Sequence, residues 1–447
     1  MTYRELLAGN ADFRRLWTGQ VVSEVGDWLN NIAVLALVIQ LAGEGRVGLS
    51  LAVYAIARHL PLFLFGPVAG VVVDRADRRR VMIAADVLRA ALALGFLLAA
   101  RTSSLALIYV VGAAIFSVSA FFNAAKRASV PGLVGRADEL LAANSLSAST
   151  TAATIAAGSA LGGVAATALG RDAVFVINAL TFLASAEMIR RITKRLRVDE
   201  GDAVRQSSVG RPTSRFSSLV ILGRMASDFR EGLRYVRRDA VVSAVFVVVA
   251  GWGLGNGAAR ALYSIFGARL GAEAVAGWAA GWPALVERPT DFGISVLFVA
   301  MGVGGLSGAT LAKRFSSGGG AGLEARMGRS LFLDGCGLAA FSLMPSLWTA
   351  AAVLLAREMN FAIWWTAQQT IVMRRTEDAF AGRVFASFET LTTLMMIGSM
   401  LVCGAVADAA GIRPVAAAGG SVVILSGALW FVLRKKNRGF EISNLKS

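Results

Sequence analysis

Histidine occurs once in this chain of 447 residues, cysteine twice and proline eight times, and each scarcity removes a class of chemistry. Cys336 and Cys403 fall in separate apolar runs with no metal spacing, so they read as small core residues and not as a disulfide or a ligand pair. None of the six lysines follows a glycine, which removes the G-x-x-x-x-G-K-[ST] phosphate loop, and H-E-x-x-H, C-x-x-C and G-x-S-x-G are absent as well. An ATPase engine, the common hydrolase sites and any cofactor are therefore not expected, and work done by this chain must draw on a gradient.

What the chain has in abundance is apolar length. Its residues are 56% hydrophobic and its mean hydropathy is +0.61, and runs of roughly 18 to 25 apolar residues recur from end to end, as in a polytopic membrane protein. The runs read as twelve spans. Six lie at about Leu16–Leu41, Gly48–Val73, Val81–Ala100, Ser104–Ala125, Glu139–Ala168 and Asp172–Arg190. Six more lie at about Ala240–Ala268, Phe292–Ala312, Ser330–Pro345, Leu347–Val372, Val384–Ala407 and Pro414–Leu433. The N-terminus lacks a cleavable signal pattern, so the first span is expected to stay as an anchor.

The net charge of +16 would suit a nucleic-acid binder in a soluble protein, but its distribution points to topology instead. With these spans, only Arg46, Arg101, Arg171, Arg269, Arg288 and Arg413 fall on one side, and Arg58, Arg89, Arg260 and Arg357 fall within spans. Every other basic residue lies on the opposite side, which the positive-inside rule makes cytoplasmic, together with both termini. The expected organisation is an N-terminal six-helix half (1–190), a basic central loop (191–239), a C-terminal six-helix half (240–434) and a short tail (435–447). Within the loop, Phe229, Leu233 and Val236 recur at i, i+4 and i+7 among arginines. They predict an amphipathic helix on the inner leaflet, with a calmodulin-like partner site as the rival reading.

The stretch Gly66 to Arg80, GPVAGVVVDRADRRR, joins the second span to the third. Gly66 and Gly70 are small residues four apart, a spacing that lets helix backbones approach closely. The Gly70, Asp74, Arg75, Arg78 and Arg79 pattern resembles the loop motif between helices 2 and 3 of major facilitator superfamily transporters, with Val72 in place of leucine and Asp77 in place of glycine. A weaker echo, Gly304 and Gly308 before Lys313-Arg314 with Asp334 beyond, fits two related halves. Val130 to Val134, the run FVINALTFLAS (Phe175 to Ser185) and the loop helix resemble one branch of the superfamily, bacterial exporters related to enterobactin and macrolide efflux proteins. Gly158, Gly162 and Gly163 resemble the antiporter motif of drug exporters, with Ser159 where proline is usual; close helix packing is the alternative reading.

The resemblance implies an all-α integral membrane protein of twelve transmembrane helices in two pseudo-symmetric six-helix bundles. It implies a monomer in the bacterial inner membrane that exports a small amphipathic molecule, with protons and lipid as its other partners. A lipid or lysolipid flippase, a proton-symport importer and a non-transporting membrane sensor are the alternatives.

Ionisable side chains inside lipid cost roughly 2.5–3.5 kcal/mol on insertion scales, so each needs a partner, a water path or a task. Glu24, Asp27, Arg58 and Glu358 are the candidates for proton coupling. By helix rise Asp27 lies about 16 Å and Arg58 about 22 Å from the inner face, so an Asp27–Arg58 pair is within reach, as coupling site or as structural salt bridge. Asp86 and Arg89, three apart, are expected to pair with each other. His59 is a candidate proton sensor. Arg357 and Glu358 are adjacent, so at least one is expected to face a central cavity. Trp28, Asn31, Trp364, Trp365 and Gln368 are the candidates to line that cavity, while Trp252, Trp278 and Trp282 read as anchors or core.

Overall fold

The computed structural model describes residues 2–43, 45–194, 196, 227, 229–276, 287–316 and 320–444. Trp278, Trp282 and most of the central loop, together with the side chains of Lys313 and Arg314, lie outside the described set.

Among the described residues there is no strand. A short helix α1 (Tyr3–Gly9) precedes α2 (Ala11–Leu41), α3 (Val47–Arg75), α4 (Arg78–Arg101), α5 (Leu105–Leu133), α6 (Ala137–Ala168) and α7 (Arg171–Arg190). After the loop come α8 (Ala240–Ala276), α9 (Pro289–Ser316), α10 (Gly320–Leu343), α11 (Leu347–Arg375), α12 (Asp378–Ala410) and α13 (Ile412–Asn444). Ten of these are long and apolar enough to cross a membrane. α10 and α11 are not among the ten, and these are the helices that carry Asp334, Arg357 and Glu358.

Side-chain caps define many helix starts. Asn10 accepts from the Phe13 amide at 2.9 Å, Ser104 accepts from Leu107 at 3.2 Å, and Asp239 accepts from Val241 and Val242 at 2.8 and 2.9 Å. Asp77, the residue that replaces the usual glycine of the loop motif, caps α4 by accepting from the amides of Arg79 and Arg80 at 2.9 and 3.2 Å. The substitution thus gives the turn a cap and a negative charge where the helix dipole favours one.

The helices repeat one pattern of neighbours, apart from a close α8–α9 packing that α2 and α3 barely share. α2 packs on α6 and α7, α3 on α5, and α4 on α5 and α7; six elements later α8 packs on α12 and α13, α9 on α11, and α10 on α11 and α13. The principal contacts between the first six and the last six, α3 with α12 and α6 with α9, exchange with each other under the same shift. The hairpin turns match too. Gly170, between α6 and α7, and Gly411, between α12 and α13, both have φ of +89°, a conformation that L side chains rarely adopt.

Call the end that carries the helix starts of α2 and α8 proximal, and the opposite end distal. The core is continuous at the distal end, where Leu29 to Val38, Phe175, Phe266, Leu297 and Ala416 belong to one buried cluster. At the proximal end it divides. One cluster gathers Phe13, Phe122 and Ile189 of the first six helices, and another gathers Val245, Trp364 and Phe388 of the last six.

Hydrogen bonds follow the same division. Asp408 of α12 accepts from the Gly48 and Leu49 amides at 2.7 and 2.9 Å. Arg171 of α7 pairs with buried Asp291 of α9 at 2.8 Å, and Arg288 donates to the Ala166 carbonyl at 2.6 Å. All of these are distal. Small residues bring the backbones together there: a Cβ on Gly404 would meet Ala52 at 2.7 Å, and one on Gly302 would press on the Ala156 backbone.

Two expectations change here. Gly66 and Gly70 have nothing within 4 Å of an added Cβ, so they mark no close helix contact; α3 meets α12 in its distal part, through Gly48 and Ala52. The apolar face of the 229–236 helix, expected to lie on the inner leaflet, is taken up in part by the protein itself. Its Val236 is buried in the core of the last six helices, Tyr235 stacks on Phe380 at 4.7 Å, and Arg383 pairs with Glu231 at 3.3 Å, so it is docked on the start of α12. Cys336 and Cys403 are free and half-buried, as small core residues.

Candidate functional site

Where the distal contacts end, a cavity opens between the two sets of helices. It has about 650 Å³ of empty space including its mouth. Trp28 and Asn31 of α2 and Tyr54, Arg58 and His59 of α3 form one wall. Arg260, Tyr263 and Ser264 of α8, Phe298 and Met301 of α9 and Met400 of α12 form the other. Arg58 donates to Asn31 Oδ1 and lies 4.7 Å from the Phe116 ring and 5.8 Å from that of Trp28. Its charge is thus met by a neutral amide and by aromatic faces. His59 is fixed by a 2.8 Å contact between Nδ1 and the Ala55 carbonyl.

A second cavity, with about 490 Å³ of empty space, lies within the first six helices. Glu24 and Asp27 of α2, Arg89 of α4 and Asn123 and Lys126 of α5 line it. Glu24 is fully engaged: Lys126 Nζ lies at 3.5 Å, Gln20 donates at 2.8 Å and Thr154 at 3.1 Å. Asp27 has no hydrogen-bond or ion-pair partner among the described residues, although Arg58 and Arg89 are both within electrostatic range. The expected Asp27–Arg58 pair is therefore absent. Depth along the axis puts the two residues within reach of each other, but helical phase turns Arg58 to Asn31 in one cavity and Asp27 into the other.

Asp86 pairs with Arg89 on the same helix, as expected, and the Arg89 guanidinium lies 4.1 Å from the Phe122 ring and 4.5 Å from that of Phe182. It does not reach the α3–α4 loop. There, Arg78 donates to the Ala128 carbonyl at 2.7 Å near the end of α5, and Arg79 donates to the Arg190 carbonyl that ends α7. Cations thus sit on the negative ends of two helices and tie three elements together at the proximal face. Asp74 is exposed. Gly158 and Gly162 give α2 its close approach to α6, against Val25 and Leu29, while Gly163 faces Ser295 of α9.

In the last six helices Arg357 is buried at the centre of a network. It bonds Asp334 and Glu358 at 3.0 Å each, Asn256 at 2.7 Å, and the Tyr263 hydroxyl. Trp252 donates to the other side of this network through Asp334 at 3.1 Å. Neither Arg357 nor Glu358 lines the central cavity; the long arginine arm folds back onto its own neighbour. Trp364, Trp365 and Gln368 do not line it either. Trp364 is 0% exposed and stacks with Trp252, Phe361 and Trp365 in the core, and Gln368 is also 0% exposed. This face of α11 meets Trp252 of α8 and Phe388 of α12, so the aromatics fill a core.

Sequence reasoning missed Lys126, by ending the fourth span at Ala125. The alanine- and serine-rich run NAAKRAS continues α5 to Leu133, and no glycine or proline precedes Pro131 to stop it. Arg260 was visible as an arginine within a span, and that was the signal available for a site residue.

The family model described as transmembrane secretion effector matches residues 8–446. An MFS-type transporter of Bacillus subtilis, YfiS, is 26% identical over 94% of this chain and 92% of its own length. A putative bacilysin exporter of Bacillus subtilis, BacE, is 26% identical over 96% of this chain and 95% of its own length. A crystal structure of the nucleoside transporter NupG superposes with a TM-score of 0.66 at 10% identity, over 94% of this chain and 99% of that one, which shows a shared fold. The chain belongs to the transmembrane secretion effector family, a branch of bacterial exporters within the major facilitator superfamily.

Proposed function

We propose that this chain is a proton-coupled secondary exporter of small amphipathic molecules. It spans the bacterial cytoplasmic membrane twelve times, in two six-helix halves with both termini cytoplasmic, and works as a monomer by alternating access. α10 and α11 then complete the twelve spans, with Arg357 paired to both Asp334 and Glu358 so that their buried charges are held in one network. The observation that carries the reading is the position of the first cavity. It lies between the two sets of helices beyond contacts that are all distal, as a binding site open toward the cytoplasmic face would be. The exporter BacE supports the direction of transport. Asp27, an acid without a partner in a separate cavity, supports proton coupling.

A flippase for lipids or lysolipids is the second reading, favoured by the apolar wall of Phe298, Met301 and Met400 beside an arginine. The deciding experiment measures proton movement in proteoliposomes containing a pH-sensitive dye, challenged with macrolides, dipeptides, catecholates, lipophilic cations and lysolipids. Compound-dependent flux that disappears in Asp27→Asn supports proton-coupled export. Transbilayer movement of lysolipid without proton flux would replace it with the flippase.

A further inference from the structure

The central cavity has a charge imbalance that the transport reading does not account for. Arg58 enters it from α3 and Arg260 from α8, and among the described residues no aspartate or glutamate lines it. Arg260 is exposed to the cavity and has no hydrogen bond or ion pair among the described residues. Arg58 has only Asn31 and the aromatic rings, and its buried Nε has no acceptor. Both arginines stand within electrostatic range of His59.

The other intramembrane arginines are treated differently. Arg89 pairs with Asp86, and Arg357 pairs with Asp334 and Glu358. The fold therefore pairs an arginine directly with a carboxylate where it is structural and leaves two without a direct carboxylate contact where the halves face each other, with Asp27 acting on Arg58 and Asp334 and Glu358 acting on Arg260 only at longer range. Two guanidinium groups facing one cavity repel, and an oxyanion relieves that cost because each fork can take a carboxylate or phosphate oxygen pair. Phe298, Met301 and Met400 offer an apolar surface for the remainder of such a molecule.

We infer that the central cavity binds an anionic amphipath, whose carboxylate or phosphate group is held between Arg58 and Arg260 and whose apolar body lies on the α9–α12 wall. This rests on the transport reading above and names its substrate class. Both arginines are required because they come from opposite halves, so the anion bridges the two sets of helices and is released when they separate.

The test uses the full chain in lipid nanodiscs, titrated calorimetrically with three ligands of one ring system: 1-naphthoate, 1-naphthyl phosphate and 1-naphthylmethylammonium. The same ligands are followed across proteoliposomes. The anions are expected to bind roughly ten-fold or more tightly than the ammonium, and Arg58→Gln and Arg260→Gln each to remove roughly ten-fold of that affinity, the scale of one lost charge-assisted contact. Arg260→Lys, which keeps the charge, is expected to retain most of it, and an unchanged thermal transition shows that the variants fold. Displacement of naphthoate by an anionic lysolipid doped into the nanodisc assigns the anion to a lipid headgroup. Displacement by soluble arylphosphate alone assigns it to a free solute. Either supports the site. Preferential binding or transport of the ammonium overturns the anion assignment and leaves the exporter reading standing; no binding and no movement of any probe by folded protein overturns both.

Discussion

Arg171 in α7 holds Asp291 in α9 through Nε and Nη2, with both carboxylate oxygens engaged and the Asp291 side chain 0% exposed. Removing one partner of a buried pair leaves the other uncompensated, at a cost of about 3–5 kcal/mol. Arg171→Gln is expected to weaken distal closure by that order. In paired spin labels placed on α7 and α9, the distal distance distribution should broaden or lengthen. An unchanged distribution would show that the pair does not hold the halves together.

Asp27 and Glu24 share a cavity but differ in engagement, since Glu24 is bound to Lys126, Gln20 and Thr154 and Asp27 to none of the described residues. Asp27→Asn is expected to lower proton-driven transport by a factor of roughly 10²–10⁴, the range for losing a positioned proton carrier, with little change in thermal stability. Glu24→Gln is expected to show the reverse balance, because it strips Lys126 of its counter-charge. Equal loss of coupling in both would remove the distinction.

Arg357 is the one cation in direct contact with Asp334 and Glu358 among the described residues, in the core of the last six helices. Arg357→Met should destabilise the purified protein by about 3–5 kcal/mol, because two acids are left buried. The triple change with Asp334→Asn and Glu358→Gln should recover a good part of the loss. Thermal unfolding in detergent reads both, and an additive outcome would show that the network is not coupled.

Gly302 of α9 faces the Ala156 backbone of α6 at the inner limit of the distal contacts. Gly302→Val would press on the Ala156 backbone and its methyl, neither of which can rotate aside, so it should cost about 1–3 kcal/mol and disfavour the closed distal arrangement. Gly305, three residues on, has nothing within 4 Å and is the control: Gly305→Val should have little effect on expression or melting.

Ten of the twelve expected spans were legible because apolar length survives any packing, and the turn between α3 and α4 because its charges stand between two apolar runs. Asp86 and Arg89 were legible because their pairing is local to one helix turn. What was not legible is rotational. Whether Arg58 faces Asp27 or Asn31, and whether Trp364 faces a cavity or Trp252, depends on the phase of each helix against its neighbours. A rise of about 1.5 Å per residue gives depth and no azimuth. Lys126 was lost for a different reason, the placement of a helix end eight residues early, before Leu133.

Helix α3 begins without a cap of its own: Arg46 stands at its N-cap and makes no side-chain bond to it, while Asp408 of α12 accepts from the Gly48 and Leu49 amides. The first turn of one half is thus completed by a carboxylate from the other. Distal separation would bare two backbone donors together with the acid that satisfied them, and water would have to enter to replace each. Backbone donors are not removed by exchanging side chains, but the contact is vulnerable at two positions: Asp408, which supplies the acceptor, and Gly48, where a Cβ would press on the Gly404 carbonyl and on Asp408 itself. The same geometry makes the first turn of α3 a reporter of closure. Its amides should resist hydrogen exchange when the halves meet and exchange freely when they part, a readout of the transport cycle that needs no label.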